Sequence, residues 1–127
     1  MSTTDTAPAD TTTALVDTYF AMWREPEAAA RRPLVEQAFT ADGRHVDPHA
    51  DARGHDEVDA MIAGVHAAYP GFAIERTSGI DQHGDQLRYA WRLDLADGST
   101  LVAGLDVAEL APDGRLARVA GFWGDLV

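Results

Sequence analysis

Asp106 lies in the middle of LVAGLDVAEL, an apolar run of strand-forming residues in which aspartate is disfavoured. Alternation puts Leu101, Ala103, Leu105 and Val107 on one face and Val102, Gly104, Asp106, Ala108 and Leu110 on the other. Both faces are largely apolar, so the expectation is a strand covered on both sides, with the carboxyl in a dry place. Such a group is costly unless paired, and it tends to keep its proton. Gly104, one step along the same face, leaves space beside it. A structural aspartate bonded to a backbone amide or an arginine is the alternative. A place in a pocket is the preferred reading, because strained polar placements concentrate at functional sites.

Asp47 stands at the end of a short strand, with Pro48 fixing the chain directly after it. That rigid exit could aim a carboxylate inward, or it could be an Asx turn of the kind common before proline. Tyr19 lies on an apolar helical stripe, where a buried phenol needs a partner for its hydroxyl; core packing with a solvated tip is the other reading. A rival constellation is the crowding of His45, Asp47, His49, Asp51 and His55 into one short stretch. Imidazole with carboxylate suits zinc or iron, and regular alternation would put His45, Asp47 and His49 on one strand face. Pro48 interrupts that alternation and no HExxH-type spacing is present, so the expectation is no metal. Arg88 and Arg92, with Asp94, fall on the polar face of their strand and read as a surface ion-pair row. P-loop, dinucleotide and nucleophile-elbow motifs are missing from the sequence.

The elements that must position these groups follow from periodicity. Met1–Thr11 is small and polar and reads as a disordered tail, leaving 12–127 as a single domain. Leu15, Tyr19 and Met22, flanked by Val16, Phe20 and Trp23, recur at helical spacing, with Thr11–Thr13 as cap candidates and Pro26 as the stop. A second helix follows with Leu34, Val35, Ala38 and Phe39 inward, broken at Pro33 and ended by Asp42-Gly43. Arg44–Gly54 reads as a brief strand and then a loop. His55 or Asp56 caps a third helix, with Val58, Met61, Ile62 and Val65 inward and Pro70-Gly71 as terminator. The period then changes to two. Phe72 and Ile74 open a strand; Leu87, Tyr89, Trp91, Leu93 and Leu95 alternate with polar residues. Thr100–Leu110 and Leu116–Trp123 are further strands, separated by turns at Asp97-Gly98 and Asp113-Gly114. Helices first and a strand meander afterwards imply an α+β domain. The economical form is a strongly curved antiparallel or mixed sheet with three helices on its concave face, a cone whose open end makes an apolar pocket.

Composition narrows the function. In 127 residues there are 21 acidic and 10 basic side chains, a formal charge of −11, which speaks against a nucleic-acid partner and against anionic membrane surfaces. With no cysteine, disulfides, thiolate nucleophiles and cysteine–zinc sites are excluded. The N-terminus has neither a basic nor an apolar segment and does not read as a secretory signal; no apolar run approaches the roughly 18 residues of a spanning helix. A soluble, cytoplasmic domain is the expectation.

The order Leu15-Val16-x-x-Tyr19, His45-Val46-Asp47-Pro48, Gly54 opening a helix, Asp106-Val107, Asp113-Gly114-Arg115-Leu116 and Gly121-Phe122-Trp123 resembles the nuclear transport factor 2-like superfamily from about Thr12 to Val127. Within it the chain is similar to SnoaL-like polyketide cyclases and ketosteroid isomerases. The resemblance implies catalytic roles: Tyr19 as an oxyanion-hole tyrosine, Asp47 as the proton-transferring aspartate, and Asp106 as a protonated acid donating to the developing enolate. It puts Phe39 and Ile62 where the isomerases carry supporting tyrosines, and Phe39, Ile62, Tyr89, Trp91 and Trp123 around a flat, apolar substrate. The implied activity is cofactor-independent isomerisation or cyclisation by proton transfer α to a carbonyl of a small polycyclic, steroid- or polyketide-like compound. Two alternatives stay open. Epoxide hydrolysis would need Arg88 or Arg92 between the carboxylates, and a non-catalytic domain would only bind a hydrophobe. Under every reading, Leu101, Ala103, Leu105 and Val107 form an apolar row on the convex side of the sheet, the surface for a homodimer.

Overall fold

The first helix, α1 (Asp10–Arg24), buries Val16, Tyr19, Phe20, Met22 and Trp23, the stripe set by its 3.6-residue period. In the computed structural model, which describes residues 10–126, Asp10 and Thr11 already belong to this helix. The rest of the expected tail lies outside the described residues. α2 (Ala28–Ala38) runs through Pro33 without breaking. The carbonyl that loses its partner to the proline ring is that of Ala29, in an exposed first turn open to water. The helix also ends earlier than Asp42-Gly43, because Phe39 is already the first residue of β1 (Phe39–Asp47). Gly43 instead sits in an irregularity of that strand, between Phe39 and Arg44. A Cβ there would lie 2.8 Å from the Phe39 ring and 3.1 Å from the Leu116 carbonyl oxygen. The glycine that reads as a helix stop is a strand bulge.

The segment expected as a loop after Asp47 is a second strand, β2 (Ala50–Arg53), paired antiparallel with β1 across the two-residue turn Pro48-His49. α3 (Gly54–Ala68) is capped differently from expectation. Arg53 occupies the N-cap without a side-chain bond, and its amide donates to Glu57 Oε1 at 2.9 Å. Val58 and Ile62 are buried, whereas Met61 and Val65 are only partly so. The strands β3 (Ala73–Arg76), β5 (Gln86–Asp94), β6 (Thr100–Leu110) and β7 (Leu116–Trp123) follow the period-two reading, although Leu95 lies beyond the end of β5. β4 (Asp81–His83) has no counterpart in the sequence pattern, since three polar residues carry no alternation to read.

The sheet order is β2-β1-β7-β6-β5-β3, with β4 also on β5; β1 and β7 are parallel and the other pairs antiparallel. Register irregularities also interrupt β5–β6 at Leu93/Asp94 and β6–β7 at Glu109/Leu110. Each extra residue bends its strand and increases the local twist, so the sheet curls around the three helices without closing. The core is Val16, Phe20, Met22, Val35, Phe39, Val58, Ile62, Leu87, Ala108, Leu116 and Val119, all nearly inaccessible. β6 is covered on one side only: Ala103 is exposed and Leu105 and Val107 are half-buried on the outer face, so the expectation of cover on both sides was wrong. No described helix is long and apolar enough to cross a membrane.

One buried cation joins the helical layer. Arg31 on α2 is 1% exposed. Its Nε donates to Asp59 Oδ1 on α3 at 2.6 Å, and one terminal nitrogen donates to the Glu25 and Pro26 carbonyls at 3.0 and 3.2 Å. It therefore sets α3 against the end of α1. Removing one partner of a buried pair strands the other, at about 3 kcal/mol or more. Arg31→Met is therefore expected to lower unfolding free energy by about 3 kcal/mol in chemical denaturation; a loss within about 0.5 kcal/mol, as for ordinary surface changes, would contradict this.

Candidate functional site

Four adjacent strands carry the chemistry in one row. Asp106 on β6 pairs with Gly121 on β7 and with Tyr89 on β5, and Asp47 follows Val46, the partner of Ala120, at the end of β1. The side chains of Asp47 and Asp106 thus face the same hollow with a glycine between them. A Cβ on Gly121 would lie 3.1 Å from Asp106 Oδ1 and 3.3 Å from Asp47 Cβ. Only a residue without a side chain leaves room between the two carboxyls. The row opens on a cavity of about 840 Å³. Its polar end holds Tyr19, Trp23, His45, Asp47 and Asp106; α3 contributes Ala60, Met61, Gly64 and Val65, and Ile74, Leu93 and Val102 line the sheet side.

Asp106 is 3% exposed. Its Oδ2 meets the Tyr19 hydroxyl at 3.1 Å and its Oδ1 accepts from Trp91 Nε1 at 2.9 Å. The second bond depends on Gly104, which pairs with Trp91 across the strands. A Cβ there would lie 2.7 Å from the indole ring and would clash with the Phe122 carbonyl. Burial raises the Asp106 pKa above the usual carboxylate value, against the opposing pull of His45, of the nearby Tyr89 hydroxyl and of the donors Tyr19 and Trp91. Burial, then the nearby Asp106 charge, also holds Tyr19 well above its ordinary value, so its proton stays in place as a donor. Tyr89 is buried beside them, its ring 6.2 Å from that of Tyr19, and its hydroxyl makes no formed hydrogen bond.

Asp47 lives in a different environment. Burial pushes its pKa up, but His45, the amides of His49 and Ala50, and the charge attraction of His45 outweigh it, and the carboxyl lies below its ordinary value. His45 Nε2 is 3.0 Å from Oδ2, and the His49 amide donates to Oδ1 at 2.9 Å. Since an ionised carboxylate only accepts, Nε2 is protonated and donates to it. His45 is the residue that sequence reasoning missed as part of the site. Its position two before Asp47, on the same strand face, was the available signal.

The other expected site residues divide. Trp91 and Trp123 line the cavity, Trp123 at the rim against His49 with ring centroids 4.8 Å apart. Phe39 and Ile62 are fully buried in the core and Tyr89 lies behind Tyr19, so these three pack the site from beneath instead of lining it. The histidine cluster is dispersed. Asp51 pairs with Arg44 at 2.8 Å, His55 Nε2 lies 2.8 Å from the Phe39 carbonyl, and His49 leaves the shared face at the hairpin turn. No group able to hold a metal ion occurs among the described residues. Arg88 bonds to Asp81 at 2.8 Å, and Arg92 to Glu75 at 2.5 Å and to Asp94 at 3.1 Å. Neither arginine lines the cavity, so the guanidinium that the epoxide-hydrolysis reading required between the carboxylates is elsewhere, on the polar face of β5.

The opposed shifts have opposite consequences for stability. A group whose folded pKa is raised binds its proton more tightly in the native chain, so Asp106 subtracts stability as pH rises above about 4 and fully so beyond its folded value. Asp47 contributes stability above about pH 4 that is lost as pH falls through its lowered folded value. Asp106→Asn keeps the shape and removes the titration. It is expected to be more stable than the parent at neutral pH, by a margin that shrinks toward pH ~4 in parallel denaturation series. A margin constant across that range would mean that Asp106 is ordinary in the fold.

Neither the known family models nor the curated proteins give a match to this sequence. Solved structures do. A protein of Agrobacterium tumefaciens, provisionally described as an isomerase of the SnoaL-like family, is 33% identical over 92% of this chain and 100% of its own, with a TM-score of 0.85. A nuclear transport factor 2-like protein of unknown function from an Exiguobacterium species shares the fold at 23% identity, over 88% of this chain and 99% of its own, with a TM-score of 0.71. So does a protein of a Jannaschia species provisionally described as a SnoaL-like polyketide cyclase, at 17% identity, over 94% of this chain and 91% of its own, with a TM-score of 0.68. With the curved sheet, the three helices and a relative at this identity over its whole length, the chain belongs to the SnoaL-like family and has the nuclear transport factor 2-like fold.

Proposed function

We propose that this protein is a cofactor-independent isomerase or cyclase that moves a proton α to the carbonyl of a small, planar, largely apolar substrate. The observation that carries the proposal is the pair of carboxyls on one cavity wall whose surroundings push their pKa values in opposite directions. Such a split separates a proton acceptor from a proton donor at one pH. The SnoaL-like relatives described as an isomerase and as polyketide cyclases support the same class.

In this mechanism Asp47, ionised, removes the α proton. Up to three of the roughly four lone-pair sites of its carboxylate are taken by His45 and the His49 and Ala50 amides, leaving at least one for the substrate. As the carbonyl oxygen gains negative charge, the Tyr19 hydroxyl and protonated Asp106 hydrogen-bond it in a site where water is scarce. Trp91 holds the Asp106 carboxyl in place. Returning the proton from Asp47 to a different carbon completes an isomerisation. Alternatively the enolate carbon attacks a second carbonyl of the same molecule, forming a C–C bond, and the Asp47 proton goes to the new alkoxide. Hydrogen–deuterium exchange of 2-tetralone, a bicyclic ketone, in D2O followed by NMR tests the shared first step. The parent protein is expected to accelerate exchange, and Asp47→Asn to lose at least about a hundredfold of that acceleration while the ketone still binds. No acceleration by the parent, or equal acceleration by the variant, defeats the proposal and favours a passive binding domain.

The outer sheet face suggests the assembly. Ala103 is exposed and Phe122 58% exposed, and Phe122 pairs across the strands with Leu105 in the apolar row of β6. We propose that two copies pair through this face about a two-fold axis. Sedimentation equilibrium is expected to return the dimer mass; monomer alone at high concentration excludes it.

A further inference from the structure

The interior of α3 holds a glycine that the fold does not need. Glycine is the weakest helix former after proline, so a helix that keeps one inside has a reason for it. The other glycines within helices or strands each have such a reason. Gly54 takes a positive φ of 85°, and a Cβ on Gly43, Gly104 or Gly121 would crowd a neighbouring atom. Gly64 has neither. Its backbone is ordinary helix, and a Cβ built on it would meet nothing within 4 Å.

What lies beyond Gly64 is the cavity. Met61, Val65 and Ala68 are its neighbours along the same face of α3, and all four residues line the hollow. From Ala60 to Ala68 this helical wall runs for roughly 12 Å, with Gly64 at its middle. On the sheet side, Asp106 and Val102 share the inward face of β6 four residues apart, roughly 13 Å. Leu93 pairs with Val102 and Ile74 with Leu93, so the part of the cavity away from Asp106 has aliphatic walls. A volume of about 840 Å³ also stands toward the upper end of small-molecule sites. A compound that only filled the polar end would leave this aliphatic part unused.

We infer that Gly64 is a specificity-determining residue, whose missing side chain leaves the room in which the substrate extends past its reacting ring against α3. The inference rests on the proposed function and deepens it. The carbonyl stays with Tyr19 and Asp106, and the substrate carries an apolar extension remote from it. A side chain at position 64 would enter the hollow from the middle of its helical wall and shorten the space for that extension.

Two ketones that differ only in the extension test this. They are 2-tetralone and 3,4-dihydroanthracen-2(1H)-one, which adds one fused ring at the end remote from the carbonyl. Binding by calorimetry and exchange in D2O by NMR are measured for the parent, Gly64→Ala and Gly64→Leu. The parent is expected to bind the longer ketone about tenfold more tightly, because the added ring buries apolar surface. Gly64→Leu is expected to cancel that preference, and to lower exchange kcat/KM for the longer ketone at least about tenfold more than for 2-tetralone. Gly64→Ala is expected to give a smaller shift in the same direction. Both variants are expected to melt above the parent, since each replaces a glycine inside a helix; a glycine required by packing would give the reverse. Absence of a preference in the parent, or a preference that neither variant changes, overturns the inference. Equal weakening of both ketones also overturns it, because Gly64 would then act on the reacting end. The two readings fail separately. Exchange of neither ketone by the parent defeats the proposed chemistry and leaves the binding preference to judge Gly64. Exchange of both, in a ratio that Gly64→Leu does not alter, defeats the role of Gly64 and not the chemistry.

Discussion

A carboxyl group in the middle of a sheet, facing a dry interior, is the constraint around which this molecule is organised. Asp106 is tolerable there because the Trp91 indole and the Tyr19 hydroxyl meet its two oxygens, and because burial lets it hold a proton. Each partner has its own structural condition. Trp91 reaches the carboxyl because Gly104 offers no Cβ to block the indole. Tyr19 reaches it because the first helix crosses the sheet at the level of that row. The glycines at 104 and 121 are thus part of the site, one making space for a ring and the other for whatever lies between the acids.

The second carboxyl shows how much a few ångströms of environment matter. Asp47 shares a wall with Asp106, yet it ends its strand at a hairpin turn where two backbone amides and an imidazole converge on it. Its charge is solvated by the protein, whereas that of Asp106 is discouraged by it. The same residue type is therefore directed toward two protonation states by the difference between a strand end and a strand centre. Electrostatic preorganisation of this kind has its cost in folding stability, since polar groups held for a ligand are less than fully satisfied without one.

The helical layer supplies rigidity to that wall. Arg31 ties the second helix, the preceding turn and Asp59 of the third helix into one unit, and Arg24 Nε donates to the Ile74 carbonyl at 2.9 Å, fastening the end of the first helix to the sheet. Because Tyr19 projects from that first helix, its seating determines where this donor stands. Strand irregularities near Gly43, Asp94 and Leu110 give the sheet its curvature, and the curvature turns an ordinary helix–sheet interface into a hollow.

Much of this was legible in the linear chain. Period and punctuation marked three helices and five of the strands, with the sixth and seventh at the observed ends, because each buries one face and the pattern records which. Asp106 stood out because a carboxylate in an apolar strand has few reasons to be there, and Asp47 and Tyr19 gained weight from a family resemblance. Pro33, Gly43 and the segment after Pro48 read as breaks, but the carbonyl freed by Pro33 is open to water and strand pairing carried the chain through the other two. Phe39 and Ile62 read as pocket walls but sit in the core, since which apolar residues line a hollow depends on how the sheet bends. The hydrogen bond from His45 to Asp47 could be assigned only from coordinates. Hydrophobic burial is written locally, residue by residue, whereas the meeting of polar atoms from the first helix and from the first, fifth and sixth strands depends on curvature and register, quantities that exist only once the whole sheet has formed.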